Sequence, residues 1–249
     1  MLSLVVMELH RFYCRSIARY LVELTDAEAH HIVDIYRLNK GDKIELFDGR
    51  GTLATAVITR ASSRKVALQV RDLRVSKKPD RPQVIIAVSI PKGQRFDWLI
   101  GKSTELGIDR ICPVIFERTV KQAANPNIVQ RWQNLAVASA KQCKRIFLPR
   151  IDKPVSLQQV IEKLKNDYKE AQILLGNRDA KSQSLMNYSF TDKDVIAVVG
   201  PEGGLTEQEQ KLLENTGAKP VRVTETILRV ETAGLAFAVI LTARRDAGK

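Results

Sequence analysis

The stretch Asp194-Val-Ile-Ala-Val-Val-Gly-Pro-Glu-Gly-Gly-Leu-Thr206 decides the fold of this chain. Its first six residues read as a buried strand, Gly200 to Gly204 as a glycine-rich turn, and Thr206 as the cap of a helix. A second strand, a second polar loop and a second helix start follow before Ala233. Loops at the ends of successive apolar strands are where an open α/β sheet usually binds a ligand. The two loops therefore predict a ligand pocket.

The sequence upstream of these loops predicts an α/β domain with a mostly parallel sheet. Val84-Ile-Ile-Ala-Val-Ser89 is a continuous apolar run, which is typical of a strand covered on both faces. Strands and helices alternate after it, and this alternation favours parallel pairing. We expect strands at 110–115, 147–151, 172–175, 194–199 and 220–223, and helices at 94–106, 127–143, 156–169, 206–216 and 231–244.

Residues 8–75 have a different pattern, which is mostly β. Thr25-Asp-Ala-Glu28 has the form of a capping box and predicts a helix that runs to about Leu38. Two alternating segments, Lys43 to Phe47 and Thr52 to Thr59, flank the turn Asp48-Gly49 and predict a hairpin. Lys65 to Arg71 predicts a further strand, and short strands with tight turns suggest a small barrel.

The charged, proline-containing segment from Val75 to Pro82 is the best linker candidate. It divides the chain into two expected domains, residues 1–76 and residues 77–249.

The chain is strongly basic, with a formal net charge of +12. Basic residues cluster between Arg60 and Arg81 and again between Lys141 and Arg150. Such clusters suit a phosphate-rich partner, although a basic surface that serves only solubility explains the charge equally well.

Cysteine usage and hydropathy point to a reduced compartment. Cys14, Cys112 and Cys143 are odd in number and far apart, which favours free thiols over disulfides or a zinc site, and we expect no metal. The apolar run at residues 2–7 is too short for a signal peptide, and no run approaches the roughly 18 residues of a membrane span. We expect a cytoplasmic protein with no membrane partner.

Neither loop identifies its ligand alone. Gly200 to Gly204 matches neither the dinucleotide-binding nor the Walker pattern, and it comes late in its domain, which disfavours a nicotinamide or class I methyltransferase fold. A simple tight turn would need glycine too. In the second loop, Glu231 and Thr232 suit a helix N-terminus. Arg229, between Leu228 and Val230, needs a carboxylate or a phosphate as its partner.

The combination of Gly200-Pro-Glu-Gly-Gly-Leu205 with Ile227-Leu-Arg-x-Glu-Thr-Ala233 resembles the bacterial small-subunit rRNA (uracil-N3)-methyltransferase family, in the SPOUT (trefoil-knot) superfamily. The resemblance runs along the whole chain. It includes His10-Arg-Phe-Tyr13, His30-His31, Arg37-Leu38, Gly41-Asp42, Phe47-Asp-Gly49, Lys102-Ser-x-Glu-Leu-Gly107, Glu117-Arg118 and Arg131-Trp-Gln133.

This resemblance implies a small PUA-like β-barrel domain that binds RNA, followed by a C-terminal α/β trefoil-knot domain that binds S-adenosyl-L-methionine (SAM). It implies SAM-dependent methylation at N3 of one uridine, the family's position 1498, in 16S rRNA of the small ribosomal subunit. It also implies a homodimer.

The resemblance also implies roles for individual residues. The cofactor-binding candidates are Leu175, Gly176, Gly200, Pro201, Glu202, Gly203, Gly204, Val223, Ile227, Leu228 and Arg229. The RNA-binding candidates are Arg11, Arg37 and Arg118, with buried ion pairing as the competing role. For catalysis, Arg229 would stabilise negative charge on the uracil ring, and Glu202 or Glu231 would accept the N3 proton.

Three departures from the family pattern leave alternatives open. Thr224-Glu225-Thr226 stands where the family carries Gly-x-Arg, and Lys141-Gln142 stands in place of Glu-Gln. The segment after Gly176 is Asn-Arg-Asp, whereas an acidic or proline-containing form is commoner in the family. The missing arginine keeps open a non-catalytic RNA-binding protein with a degenerate methyltransferase fold. A nucleotide-cofactor oxidoreductase is the third hypothesis, and the order of the loops argues against it.

Overall fold

The computed structural model describes residues 9–119, 126–177, 179 and 181–247, so the apolar run at 2–7 lies outside the described residues. The chain forms two compact units. One comprises Met1–Pro79 with Ala140–Leu148, and the other comprises Asp80–Ser139 with Pro149–Lys249. The sequence did not anticipate that 140–148 would join the first unit.

The first unit is built on a five-stranded sheet in the order β1-β3-β4-β5-β2. Neighbouring strands are antiparallel except for β1 and β3, which are parallel. The strands are β1 (Arg11–Tyr13), β2 (Leu21–Thr25), β3 (Lys43–Phe47), β4 (Thr52–Ser62) and β5 (Lys65–Val75). Alternating side chains bury one face of the sheet, where Phe12, Ile44, Leu46, Ala56 and Leu68 are inaccessible to solvent. The predicted hairpin is confirmed, whereas β1 and β2 were not predicted.

The predicted capping box at the first helix is wrong, although the helix is present. Helix α1 (Asp26–His30) continues as a π-helix over His31–Ile35 and ends three residues before Leu38. The Thr25 side chain makes no cap and instead donates to the Asp26 carboxylate at 3.0 Å. The Glu28 carboxylate accepts hydrogen bonds from the Tyr13 amide and, at 3.0 Å, from Lys141 Nζ. A charged ammonium partner outweighs the backbone amide that a capping box would offer.

The second unit contains an eight-stranded sheet in the order β11-β13-β10-β12-β6-β7-β8, with β9 also paired to β7. Its strand pairings are parallel in the described residues. The strands are β6 (Val84–Ser89), β7 (Arg110–Ile115), β8 (Arg150–Ile151), β9 (Val155–Ser156), β10 (Gln172–Gly176), β11 (Gln183–Ser184), β12 (Val195–Val199) and β13 (Lys219–Arg222). The helices are α2 (Arg95–Glu105), α3 (Ile128–Cys143), α4 (Leu157–Asp167), α5 (Glu207–Asn215) and α6 (Val230–Ala247). The predicted α/β fold with a mostly parallel sheet is confirmed.

Local signals explain where the helices begin and end. Thr206 and Glu209 form the predicted capping box at the start of α5, and Ser156 and Gln159 form another at the start of α4. Helix α2 ends just before Gly107, whose φ of +89° suits glycine.

The position of β12 decides where loops can meet. This fully buried strand lies between β10 and β6, and β13 flanks β10 on its other side. Parallel strands bring their carboxyl ends to one edge of the sheet, so the loops after β10, β12 and β13 converge there. Among the described residues, no helix is both long enough and apolar enough to cross a membrane.

A buried charge cluster lies at the amino end of β7. Arg110 is fully buried, its Nε donates to Asp152 Oδ2 at 2.8 Å, and its Nη1 donates to Asp167 Oδ2 at 2.6 Å. Lys163 Nζ lies 3.1 Å from Asp152 Oδ1. Burial raises the pKa of Asp152, but hydrogen bonding and charge from Arg110 outweigh it, so the pKa lies below its ordinary value. Burial also raises the pKa of the adjacent Cys112 thiol, which keeps it protonated.

We predict that Asp152→Asn lowers the free energy of unfolding by about 3 kcal/mol, because it removes one of the two carboxylates that pair with the buried Arg110. The folded-state pKa of Asp152 is depressed, so the contribution of its carboxylate is fully present above the unfolded pKa of about 4 and is lost as the pH falls through the folded pKa. Urea denaturation of both proteins at about pH 7, 5 and 3 measures the difference, with Asp192→Asn as an exposed control. A difference that did not shrink in acid would contradict this account.

Candidate functional site

A cavity of about 470 Å³ opens where the loops after β10, β12 and β13 converge. Its walls come from residues 175–177, 200–205 and 223–228, together with residues of α5 and α6. A volume of this size is typical of a small-molecule site. The ligand pocket predicted between the two loops is therefore present in the fold.

Glycines shape the cavity in two ways. Gly204 has a φ of +74°, and its amide donates to the Pro201 carbonyl at 2.9 Å to close the turn. At Gly176 and Gly200 the constraint is space. A Cβ at Gly176 would lie 3.1 Å from Phe237, and one at Gly200 would lie 3.0 Å from Leu205. Glycine at these two positions therefore lets the loops pack closely against Phe237 and Leu205 at the cavity wall.

The remaining wall is mixed in character. Leu175, Val223, Leu228 and Phe237 supply apolar surface, while Glu202 is exposed at the cavity and carries a negative charge. This arrangement suits a ligand with a flat apolar part and polar edges.

Thr226, where the resemblance leads us to expect an arginine, lines the cavity. Its carbonyl accepts a hydrogen bond from the Thr224 hydroxyl at 3.0 Å. The second loop is thus closed on itself by a neutral contact, and it lacks the guanidinium that the family pattern would place there.

Arg118 reaches the cavity from the turn after β7. Its Nη1 donates to the Gly203 carbonyl at 2.9 Å, and its side chain is exposed. The structure therefore brings this candidate together with the glycine loop.

Arg229 and Glu231 flank the cavity in sequence but do not line it. The Arg229 side chain is exposed and makes no hydrogen bond or ion pair with the described residues. Glu231 is 7 % exposed in the first turn of α6, where the helix dipole favours a carboxylate. Its Oε1 lies 3.7 Å from Arg95 Nε, and its buried Oε2 has no hydrogen-bond partner in the described part of the chain.

The other two candidate arginines lie in the first unit. Arg11 is buried, pairs with the Glu45 carboxylate, and donates to the Arg145 carbonyl at 3.3 Å. This geometry favours the competing role of buried ion pairing over an RNA contact. Arg37 is exposed with a φ of +55°, a conformation uncommon outside glycine.

Sequence reasoning missed the contributions of α5 and α6 to the cavity. Gln210 and Glu214 lie one turn apart on α5 and both line it, as does Phe237 of α6. The cap at Thr206 fixes the start of α5, so helical spacing could have placed Gln210 and Glu214 on one face. No group of three or more potential metal ligands occurs among the described residues.

The fold and the site together define an α/β methyltransferase of the SPOUT class with an N-terminal PUA-like domain. Residues 78–242 match a family model described as an RNA methyltransferase domain, and residues 24–71 match one described as an RNA methyltransferase PUA domain. The chain belongs to this family of RNA methyltransferases. The family and the fold class predicted from the sequence are thus confirmed.

Relatives of known name support the same grouping. The chain is 33% identical to Ribosomal RNA small subunit methyltransferase E of Synechocystis sp. over 218 residues, which cover 85% of this chain and 69% of that protein. It is 30% identical to the protein of the same name from Bacillus subtilis over 223 residues, which cover 85% and 86%.

Solved structures resemble the whole chain. Ribosomal RNA small subunit methyltransferase E from Neisseria gonorrhoeae, bound to S-adenosyl methionine, has a TM-score of 0.85 and 26% identity, and the match covers 95% of this chain and 98% of that one. A Legionella pneumophila protein in complex with SAM gives the same TM-score, identity and coverage.

Proposed function

We propose that this protein transfers a methyl group from SAM to N3 of a specific uridine in 16S rRNA of the small ribosomal subunit. The observation that carries the proposal is the glycine-lined cavity formed by the loops after β10, β12 and β13. Membership of the RNA methyltransferase family and the two similar structures with SAM support it.

The cavity fits SAM in size and chemistry. Residues 200–204, three of which are glycines, are positioned to hold polar edges of SAM through their backbone N–H and C=O groups, and residues 223–228 form another wall of the cavity. Leu175 and Leu228, which line the cavity and are only half-buried, supply apolar contact for the adenine. When bound, SAM supplies an electrophilic methyl group on a positively charged sulfur. Gly176 remains a candidate for contact with the cofactor, whereas Arg229 follows the last residue of the second loop that lines the cavity.

Side chains of this protein must then accept the N3 proton of the uracil and stabilise the negative charge on its ring. N3 of uracil carries a proton that must leave, so the reaction needs an acceptor and stabilisation of the anionic ring. Glu202 is the better-placed acceptor because it lines the cavity, whereas Glu231 lies off the cavity beside Arg95. Arg229 is exposed and makes no hydrogen bond or ion pair with the described residues, so it is available to stabilise the ring.

We propose that both domains contact RNA. We assign residues 1–76 to the PUA-like RNA-binding domain and residues 77–249 to the methyltransferase domain. Arg37 and Arg118 are exposed and suit phosphate or base contacts. Access to N3 requires an unpaired or extruded uridine.

The proposal is tested by separating cofactor binding from turnover. Isothermal titration should show binding of SAM and none of NAD. Small subunits purified from a strain without this methyltransferase should gain a methyl group at N3 of one 16S rRNA uridine, detected by nucleoside mass spectrometry. Binding of SAM without methylation would favour the non-catalytic RNA-binding protein. Binding of NAD instead would favour the oxidoreductase.

Single substitutions separate the proposed catalytic roles. Arg229→Ala should reduce the rate of methylation by about 10²-fold or more, with a much smaller change in SAM affinity, because it acts on the uracil. Glu202→Gln should reduce the rate by about 10²-fold or more, as expected on loss of a general base, and Glu231→Gln by less. Single-turnover rates and SAM titrations measure both quantities. Equal losses of rate and SAM affinity in Arg229→Ala would refute its role at the base.

We place this activity in the cytoplasm, where ribosomal subunits are found. We also propose that the protein is a homodimer. Two packed helices support the dimer, because α2 exposes Trp98 and α6 exposes Val239 to solvent. Light scattering on the eluting protein should give twice the chain mass, and Val239→Glu should give the monomer mass. A wild-type monomer at micromolar concentration would contradict the dimer.

A further inference from the structure

Glu209, the third residue of α5, makes more contacts than a helix capping box requires. Glu209 is 6 % exposed and occupies the third position of the helix. Its Oε2 accepts a hydrogen bond from the Thr206 amide at 2.9 Å, and its own amide donates to the Thr206 hydroxyl at 3.4 Å. These two contacts complete the capping box and use one carboxylate oxygen.

The second carboxylate oxygen binds a different part of the chain. Glu209 Oε1 accepts a hydrogen bond from the Glu117 amide at 2.9 Å. Glu117 begins the turn that follows β7, 92 residues away in sequence. One buried carboxylate therefore joins the end of the glycine loop to the turn after β7.

The capping box of α4 shows that capping alone does not require a carboxylate. There, Gln159 takes the position of Glu209, and its Oε1 accepts from the Ser156 amide at 3.3 Å. The two backbone N–H groups around Glu209 bind different carboxylate oxygens. A glutamine in the same conformation would keep its oxygen for one of them and turn its NH₂ donor toward the other, so this arrangement requires a carboxylate.

The turn held by Glu209 carries Arg118 to the cavity. Arg118 donates to the Gly203 carbonyl, and a Cβ at Gly203 would lie 3.3 Å from Arg118 Cβ. The other end of the turn is also anchored. Thr119 Oγ1 accepts from the Phe116 amide at 2.9 Å and lies 3.2 Å from the Ser89 hydroxyl.

We infer that Glu209 is a positioning residue for the SAM site, which fixes the Arg118-bearing turn against the glycine loop so that this wall of the cavity is formed before the cofactor binds. The inference rests on the proposed function. The expected effect is on SAM affinity. When the cavity wall is already ordered, SAM binding does not have to offset the entropy lost in ordering it.

The test is Glu209→Gln, with Gln159→Ala as the matched control. The glutamine keeps one acceptor for one of the two backbone amides and presents N–H to the other. SAM affinity by titration should fall about tenfold, the effect of one buried hydrogen bond lost at the site. Gln159→Ala removes a cap far from the cavity, so it should lower thermal stability and leave SAM affinity unchanged. An affinity of Glu209→Gln within twofold of wild type overturns the inference.

A double-mutant cycle with Arg118→Ala separates positioning from a merely structural role. If Glu209 acts through Arg118, each single variant weakens SAM binding and the double variant is no weaker than the worse single one. Additive losses would show that Glu209 acts independently of Arg118 and would overturn the inference. Arg118 is exposed, so Arg118→Ala tests the contact even where Glu209→Gln does not fold. An unchanged SAM affinity in that variant also overturns it. Failure of wild-type protein to bind SAM would instead refute the proposed function.

Discussion

Parallel pairing of β12 between β6 and β10 is the constraint on which the site depends. It places the carboxyl ends of β10, β12 and β13 on one edge of the sheet, and the three loops that follow them form the cavity. Because β12 is buried on both faces, its register cannot slip without exposing apolar side chains or burying the charged residues beside it. The fixed register of β12 therefore sets the position of the glycine loop.

Contacts from outside the sheet then shape the loops. The turn after β7 approaches the glycine loop through Arg118 and through the buried carboxylate of Glu209. Buried polar groups need hydrogen-bond partners. A carboxylate has two oxygens and can accept hydrogen bonds from two segments of the chain at once. Rigidity of the cavity wall and capping of α5 thus depend on the same side chain.

Much of the molecule could be predicted from local sequence. Strands β6 and β7 have the predicted bounds, and α2, α3 and α5 differ from prediction by about one residue at each end. These elements are long and strongly patterned. The short strand β1 and the failed capping box at Thr25 were beyond local reasoning, because partners distant in sequence decide them. The Tyr13 amide and Lys141 both donate to the Glu28 carboxylate, and no local pattern reveals either contact.

The sequence by itself determined the α/β class and the two loops that line the cavity, since apolar periodicity and glycine positions are local properties of the chain, and its motifs pointed to the family. Only the tertiary structure decided which of the candidate site residues lie together. It brought Arg118 to Gly203, left Glu231 beside Arg95 off the cavity, and buried Arg11 against Glu45. The physical reason is that a side chain's environment depends on which strands and turns pack next to it, and that packing is set by contacts between residues far apart in sequence.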